Sequence, residues 1–359
     1  MLDKLFSIKE VDLHYIVKFC GVKFKIMNSK KAFAELKKIR QQMKRSQIPT
    51  IYNTNLTQEQ KIWFLSQKFY EEVGYYPDFK NPKSFNEKIN WMKLNYYNPL
   101  EDVCIDKYTF KEYIRAKLGA EYVIPAIGVY EDVNDIDFNK LPQKFVIKTT
   151  IGNGGIGCQL VKDKNKINID KLKYTFNNLM QEWNSPFFQS YQPGFKYIQP
   201  KIIIEEYMPI REGAALEYKM FCFHGEMKFC LIECDYFGKK PARAIYDKQF
   251  QELPFTIRRL TKRTLNKKPQ LYDEMIVLAE KLAATFPFVR VDFYVINNKI
   301  YLSELTFNSG AGFSVFTPTE WDYKLGEWLD LTKLNPKYVC ILEEFKNTDL
   351  GNFYNMGAL

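Results

Sequence analysis

Lys144-Phe-Val-Ile-Lys-Thr-Thr-Ile-Gly-Asn-Gly-Gly-Ile-Gly157 runs an apolar strand, with Lys148 near its end, straight into a glycine-rich loop. Glycines let backbone N–H groups approach an anion where a Cβ would collide, and the lysine adds a fixed positive charge beside them. The loop spells GxGxxG from Gly152 to Gly157, but a dinucleotide fingerprint needs a helix to follow. Here Cys158-Gln-Leu-Val alternates polarity, which predicts a returning antiparallel strand and makes the loop, with Gly154 and Gly155 at its centre, a lid over a nucleotide. No Gly-Lys-Ser/Thr closes the loop, so it is not a Walker motif. A plain glycine-rich hairpin beside a surface lysine would share this pattern, and the rest of the chain has to separate the two.

Phe288-Val-Arg-Val-Asp-Phe-Tyr-Val-Ile296 reads as a strand, Asn297-Asn298-Lys299 as a turn and Ile300-Tyr-Leu-Ser-Glu-Leu305 as a returning strand. Period two puts Arg290, Asp292 and Tyr294 on one face, and Val289, Val291, Phe293 and Val295 on the other. A three-residue loop brings Ile296 opposite Ile300 and Asp292 opposite Glu304, whereas a two-residue turn puts the acids on opposite faces. Facing carboxylates repel unless a cation or proton sits between them. With the amide of Asn308 they make a hard-oxygen set suited to Mg²⁺ carrying nucleotide phosphates. Two solvated acids on a hairpin are the alternative.

Between these pieces, Tyr197-Ile-Gln-Pro-Lys-Ile-Ile-Ile-Glu-Glu-Tyr-Met208 is an apolar strand ending in two acids and a hydrophobic pair, followed by Glu217-Tyr-Lys219. Such a strand end can offer backbone groups to an adenine edge while Glu217 accepts from a ribose hydroxyl. His224-Gly225 reads as a hairpin turn rather than a catalytic histidine. Leu271 to Phe286 is helix-compatible and is expected to pack beneath the acid-bearing hairpin.

Taken in order, Asp106-Lys-Tyr-Thr-Phe-Lys111, the glycine-rich segment, Ile203-Ile-Glu-Glu-Tyr-Met208, Glu217-Tyr-Lys-Met-Phe-Cys-Phe223 and the Val289 to Gly310 hairpin segment resemble the ATP-grasp superfamily. Within it the chain is most similar to the TupA-like ATP-grasp proteins of bacterial surface-polysaccharide loci. That likeness covers about residues 80 to 330 and includes Ser84-Phe-Asn-Glu-Lys-Ile-Asn-Trp-Met-Lys93 and Ala242-Arg-Ala-Ile-Tyr-Asp247. The resemblance implies an α+β ATP-grasp fold whose two subdomains clamp ATP. It further implies that Lys111, Lys148 and Lys219 contact ATP, that Glu205, Glu206, Tyr207 and Met208 line the adenine slot, and that Glu217 lies at the ribose. Asp292, Glu304 and Asn308 match Mg²⁺ positions, and Arg290 faces the transferring phosphoryl group together with Lys148. Lys107 rivals Lys111 from one helical turn away, and spacing favours Lys111. Arg243 is the candidate for an acidic substrate. The implied cofactors are ATP and Mg²⁺. The implied reaction is ligation of a carboxylate, a uronic or other sugar-linked acid, to an amine through an acylphosphate. A kinase on the same fold, a glycosyltransferase using Asp135-Ile-Asp137, and a nucleotide- or glycan-binding module are the rivals.

At 359 residues and 46% hydrophobic content the chain can bury two cores. The expected division is a basic arm over 1–50, a mostly helical region over 51–140, a lid-bearing subdomain over 141–210, a metal-bearing subdomain over 211–335 and a tail over 336–359. Seven cysteines without a CxxC pair read as reduced core residues of a cytoplasmic protein. The net charge of +10 is concentrated in residues 1–50, whose 12 Lys+Arg and 4 Asp+Glu leave only +2 for the rest. That arm, with Leu13 to Ile26 mixing apolar and basic residues ahead of a helical stretch, suits peripheral contact with the anionic inner face of a membrane or with a lipid-linked acidic glycan; a solvated basic helix is the other reading. A basic excess this local, without a recognition motif, speaks against nucleic acid. No 18-residue apolar run or signal peptide is expected.

Overall fold

A computed structural model describes the backbone of residues 6–11, 14–19 and 22–27, and then residues 56–152, 157–181, 190–195, 198–208, 217–234, 242–257, 261–262, 265 and 267–339. The chain divides into Met1–Thr54 and Asn55–Leu359. In the first unit, β1 (Phe6–Val11), β2 (His14–Phe19) and β3 (Val22–Met27) form an antiparallel sheet in chain order. The helical stretch expected after it lies outside the described residues, as does the tail beyond 339.

The second unit opens with helices α1 (Gln58–Val73), α2 (Phe85–Asn95), α3 (Pro99–Ile105) and α4 (Lys107–Lys117). Their starts are written locally. Thr57 with Gln60 and Ser84 with Glu87 form capping boxes, and Asp106 Oδ1 accepts from the N–H groups of Tyr108 and Thr109 at 2.8 and 3.0 Å. A four-stranded sheet follows, built from β4 (Ala126–Tyr130), β5 (Phe145–Thr149), β6 (Cys158–Val161) and β7 (Ile202–Glu206) in the order β4-β7-β5-β6. Helix α5 (Ile169–Gln181) buries Leu172 and Phe176 against Phe145, Ile147, Ile202 and Ile204. The strand expected after the glycine loop is β6, paired antiparallel to β5.

A larger sheet carries β8 (Glu217–Phe223), β9 (Glu226–Cys234), β10 (Ala242–Tyr246), β12 (Thr261–Lys262), β13 (Phe288–Ile296) and β14 (Lys299–Thr306) in the order β12-β10-β9-β8-β13-β14. Short β11 (Thr256–Ile257) pairs instead with β15 (Phe316–Thr317). One face is dry: Met220, Cys222, Cys230, Ile232, Val289, Val291 and Phe293 pack with Tyr272, Met275, Ala279 and Leu282 of helix α6 (Tyr272–Ala283). Alternation therefore sends Lys219, Glu233, Arg243, Arg290 and Asp292 to the opposite face.

Two hairpins of this sheet, β8–β9 and β13–β14, turn in two residues, each with positive φ: His224 at 47° and Gly225 at 83°, then Asn297 at 51° and Asn298 at 58°. The second differs from the expected three-residue loop, since Ile296 pairs with Lys299 rather than with Ile300. Asp292 nevertheless faces Glu304, because a β-bulge shifts the register between Asp292 and Phe293, whose partner is Leu302, and leaves Ser303 as the extra residue.

Helix α7 (Glu320–Trp328) closes on α2. The Asn86 backbone N–H and side-chain amide donate to the two oxygens of Asp322 at 3.0 and 2.8 Å, and Lys88 Nζ donates to the carbonyls of Gly326 and Leu329. A Cβ on Gly326 would lie 2.0 Å from Lys83 O, a backbone atom that cannot rotate away. Gly326→Ala gains about 1 kcal/mol of helix propensity but forces α7 off α2, an overpacking cost of about 1–3 kcal/mol or more. Urea denaturation of the variant is expected to show net destabilisation, and a gain would mean that α7 shifts freely.

Candidate active site

The first cluster lies on the four-stranded sheet, with one contributor from α4. Glu205 of β7 is 2% exposed and holds two lysines, Lys111 Nζ on Oε1 and Lys148 Nζ on Oε2, each at 2.6 Å. Lys111 also donates to Ile124 O at 2.7 Å. Burial lowers the Lys111 ammonium to about 8 even with Glu205 beside it. Burial works the other way on Glu205, but Lys148 and Lys111 outweigh it and hold the carboxyl below its ordinary value.

At the N-terminus of α4 the Lys107 N–H donates to Thr150 O at 2.8 Å and its Nζ to Gly152 O at 2.9 Å, which ties α4 to the start of the glycine loop. The far end of that loop is Gly157, at φ 74°, where a Cβ would meet Thr149 Oγ1 at 2.5 Å. Gly154 and Gly155 lie outside the described residues.

The second cluster is the charged face of the large sheet. Arg290 Nε donates to Asp292 Oδ1 at 2.7 Å, and its Nη2 donates to Asp292 Oδ2 at 2.6 Å and to Glu304 Oε1 at 2.7 Å. The cation that a facing acid pair requires is thus the neighbouring guanidinium. Thr306 Oγ1 donates to the same Glu304 oxygen at 3.0 Å. Lys219 Nζ lies 3.1 Å from Glu217, 3.0 Å from Glu233 and 3.7 Å from Asp292. Arg243 grips Glu233 Oε1 through Nε and Nη2, and Nη1 donates to Ile257 O at 2.9 Å. Burial raises the fully covered Asp292 carboxyl to about 7, with Arg290 and Lys219 opposing. Burial also acts to raise Glu304, but Arg290, Lys219 and Lys107 outweigh it, and the carboxyl falls to about 2. Charge-assisted bonds of about 1.5–3 kcal/mol each stand against desolvation of several kcal/mol per ion, so this network organises charge more than it stabilises the fold.

A cavity of about 440 Å³ opens on this face. Lys107, Lys219, Arg243 and Arg290 line it, together with Gly152, Glu233, Glu304, Thr306 and Asn308. Asp292 is sealed behind Arg290 at 0% exposure. Of the two rival lysines, Lys107 lines the cavity, while Lys111 is committed to Ile124 O and Glu205. Glu206 is exposed at the end of β7, Tyr207 and Met208 follow it, and Lys144 Nζ lies 5.8 Å from the Tyr207 ring centroid. Sequence reasoning missed Thr306, whose hydroxyl is legible only once β14 is known to turn that residue toward Glu304. His224 sits in its turn and accepts from Asp330 N at 3.1 Å.

The residues fit a hard divalent cation. Glu304 and Asn308, both bearing side-chain oxygen, line the cavity, and Asp292 could join them were Arg290 to turn aside. No cluster of three or more His, Cys, Asp or Glu able to hold a metal occurs among the described residues. Cys104, Cys158, Cys222 and Cys230 are free thiols, and no helix among the described residues is long and apolar enough to cross a membrane.

The sequence profile of the TupA-like ATPgrasp family matches residues 87–330, two thirds of the chain and both charged clusters. The chain belongs to that family. Membership carries the ATP-grasp fold, chemistry of the ATP-dependent ligase type, and ATP with Mg²⁺ as cofactors. No curated protein matches. Among solved structures, the D-alanine-D-alanine ligase of Helicobacter pylori is similar at 17% identity and TM-score 0.37, covering 69% of this chain and 68% of that one. The D-alanine-D-alanine ligase of Bacillus anthracis follows at 17% and 0.37, covering 63% and 66%. A RimK domain ATP-grasp protein of Sphaerobacter thermophilus stands at 8% and 0.36, covering 64% and 69%. The chain thus spans about two thirds of the length of each.

In this TupA-like ATPgrasp protein the Lys111 to Glu205 pair sets a pH test. Lys111 titrates at about 8 in the fold against an ordinary 10.5, so between those values the unfolded chain binds more protons and stability rises with pH. Glu205→Gln leaves a buried ammonium without its counter-charge and is expected to cost about 3–5 kcal/mol at pH 7. The loss should shrink above pH 8 as Lys111 becomes neutral. Urea denaturation at pH 7 and pH 10 reads both, and equal losses would show that charge is not the cause.

Proposed function

We propose that the protein joins a carboxylic acid to an amine using ATP, and that the acid is a uronic or other sugar-linked acid of a capsule or surface polysaccharide. The observation behind this reading is the Arg290 guanidinium held between Asp292 and Glu304 on the wall of a cation-lined cavity. A carboxylate is a poor electrophile. Moving the γ-phosphoryl onto it gives an acylphosphate, which the amine attacks with loss of a proton and departure of phosphate. Each residue then has a task. Lys148, Lys111 and Lys107 draw the phosphates in, and Arg290 neutralises charge as it builds on the phosphoryl oxygens. Glu304 and Asn308, with Asp292 once Arg290 turns aside, would hold Mg²⁺, which would supply charge neutralisation to the phosphates. Glu205 to Met208 frame the adenine and Glu217 the ribose, with Lys219 beside it. Residues 152–157, including Gly154 and Gly155, exclude water from the reactive intermediate. Arg243, opposite Glu233 on the same face, receives the acid.

Calorimetric titration with ADP and with UDP-sugars, each with and without Mg²⁺, tests the reading. Saturable ADP binding strengthened by Mg²⁺ is expected, and UDP-sugar binding without an ADP response would move the assignment to glycosyl transfer. Glu304→Gln keeps the size of the side chain and removes its charge. Turnover should fall by about a hundredfold or more, with weaker Mg²⁺-ADP binding, and unchanged turnover would remove Glu304 from the cation site.

The arm over residues 1–50 is assigned in the same reading to peripheral contact with the anionic inner face of the membrane, at the cytoplasmic side where glycans are assembled. Its surplus of +8 should make the full-length protein sediment with anionic vesicles but not with zwitterionic ones, the difference fading as salt shortens the Debye length. Equal sedimentation with both would argue against the assignment.

A further inference from the structure

Helix α2 carries three polar side chains that its own hydrogen bonding does not need. Asn86, Asn90 and Lys93 recur at i, i+4 and i+7 on one stripe, and are 0, 0 and 5% exposed. All three reach a single segment more than two hundred residues away. The Asn86 side chain donates to Ser314 O at 2.8 Å and accepts from Ser314 N at 2.9 Å. Asn90 Nδ2 donates to Gly312 O at 2.7 Å, and Lys93 Nζ to Ala311 O at 2.6 Å.

That segment leaves β14 immediately after the oxygen donors Glu304 and Asn308. It turns through Gly310, Ala311 and Gly312 at φ 58°, 55° and 71°, a left-handed run that is disfavoured at a residue with a Cβ and persists only where its surroundings impose it. Lys93 is what surrounds it. Besides Ala311 O, its Nζ donates to Ser190 O at 3.0 Å and to Asn90 Oδ1 at 2.9 Å, and it lies 4.6 Å from the Phe313 ring centroid. The orientation of the Asn90 amide is fixed by its donation to Asn86 O and Gly312 O, so oxygen faces the lysine. Three acceptors converging on one amine use every N–H of an ammonium. No carboxylate pairs with it among the described residues, where this turn, Ser190 and its own helix hold the group in place.

We propose that Lys93, with Asn86 and Asn90, is a positioning residue for the cation site. It clamps residues 309–314 in their left-handed turn and thereby sets where Asn308 and Glu304 present oxygen to the cavity, and it ties that turn to Ser190 in the chain between α5 and β7. The proposal rests on the reading of Glu304 and Asn308 as the Mg²⁺ donors.

The test compares full-length wild type with Lys93→Met, which keeps length and removes every donor, at a temperature where both are folded by circular dichroism. Hydrogen exchange at the Ala311 and Phe313 amides, which bond Asn308 O and Gly310 O, should quicken at least tenfold while α6 and β13 keep their protection. ADP affinity without Mg²⁺ should be unchanged, and its strengthening by Mg²⁺ should fall at least tenfold. Adding Ala311→Gly, which relieves the Cβ penalty without adding a contact, should restore part of the Mg²⁺ response. Should Lys93→Met not fold, Asn90→Ala removes the Gly312 bond and one lysine acceptor and is expected to show the same pattern. Wild-type exchange at 311 and 313, exchange rising everywhere together, or a local rise with an intact Mg²⁺ response would each overturn the proposal. A wild-type protein that binds ADP without any Mg²⁺ effect would instead refute the donor assignment, and the exchange measurement would still decide whether the clamp exists.

Discussion

Two carboxylates on adjoining strands stay together here because one guanidinium bonds both, and the arrangement of the larger sheet follows from making that possible. Arg290 and Asp292 are two residues apart on β13 and share a face, while Glu304 comes from β14. Their face is free for charge only because the other face is spent on α6, where Val289, Val291 and Phe293 meet Met275, Ala279 and Leu282. Burial of each of these apolar side chains contributes about 1.5–3 kcal/mol, and that energy is what holds a row of costly charges at the wall of a cavity. The packing face fixes the register, and the register places the charges.

Most cations of the site already have a carboxylate partner before any nucleotide is present. Lys111 and Lys148 share Glu205, Arg243 holds Glu233, and Arg290 holds Asp292 and Glu304. In the proposed reading an arriving polyphosphate exchanges one anion for another at these positions, so it need not strip a bare buried charge of water. Lys107 differs, since its Nζ donates to the carbonyls of Gly152 and Thr150. A carbonyl is a weaker partner than a phosphate oxygen, so Lys107 gains most from the exchange, and its move would also release Gly152 at the base of the glycine loop.

Elements with local signals were legible in the sequence, and contacts across the chain were not. The β5 to β6 pairing followed from a period-two strand after the glycines, α6 from its apolar face, and the His224 turn from the need for positive φ. The choice between Lys107 and Lys111 was not legible because both lie on α4 one turn apart, and only the position of β7, with Glu205, shows that Lys111 is engaged there while Lys107 lines the cavity. The Asn86, Asn90 and Lys93 stripe gave a faint signal, polar residues at the buried positions of a helix. Its partner segment has no periodicity of its own and lies more than two hundred residues on, so nothing local could have named it.

The acid hairpin shows why turn length alone is an unsafe guide to a site built on strands. Side chains alternate with period two, so every residue added or removed between Asp292 and Glu304 exchanges the face on which the glutamate appears. The two-residue turn at Asn297 and Asn298 has the φ values that right-twisted strands prefer, and by itself it would pair Asp292 with Ser303 and send Glu304 to the opposite face. The bulge supplies the missing residue. With Ser303 unpaired, Glu304 returns to Asp292 within reach of Arg290 Nη2. A tight turn and a bulge are thus two halves of one device, the first setting the twist of the hairpin and the second setting the parity on which the acid pair depends.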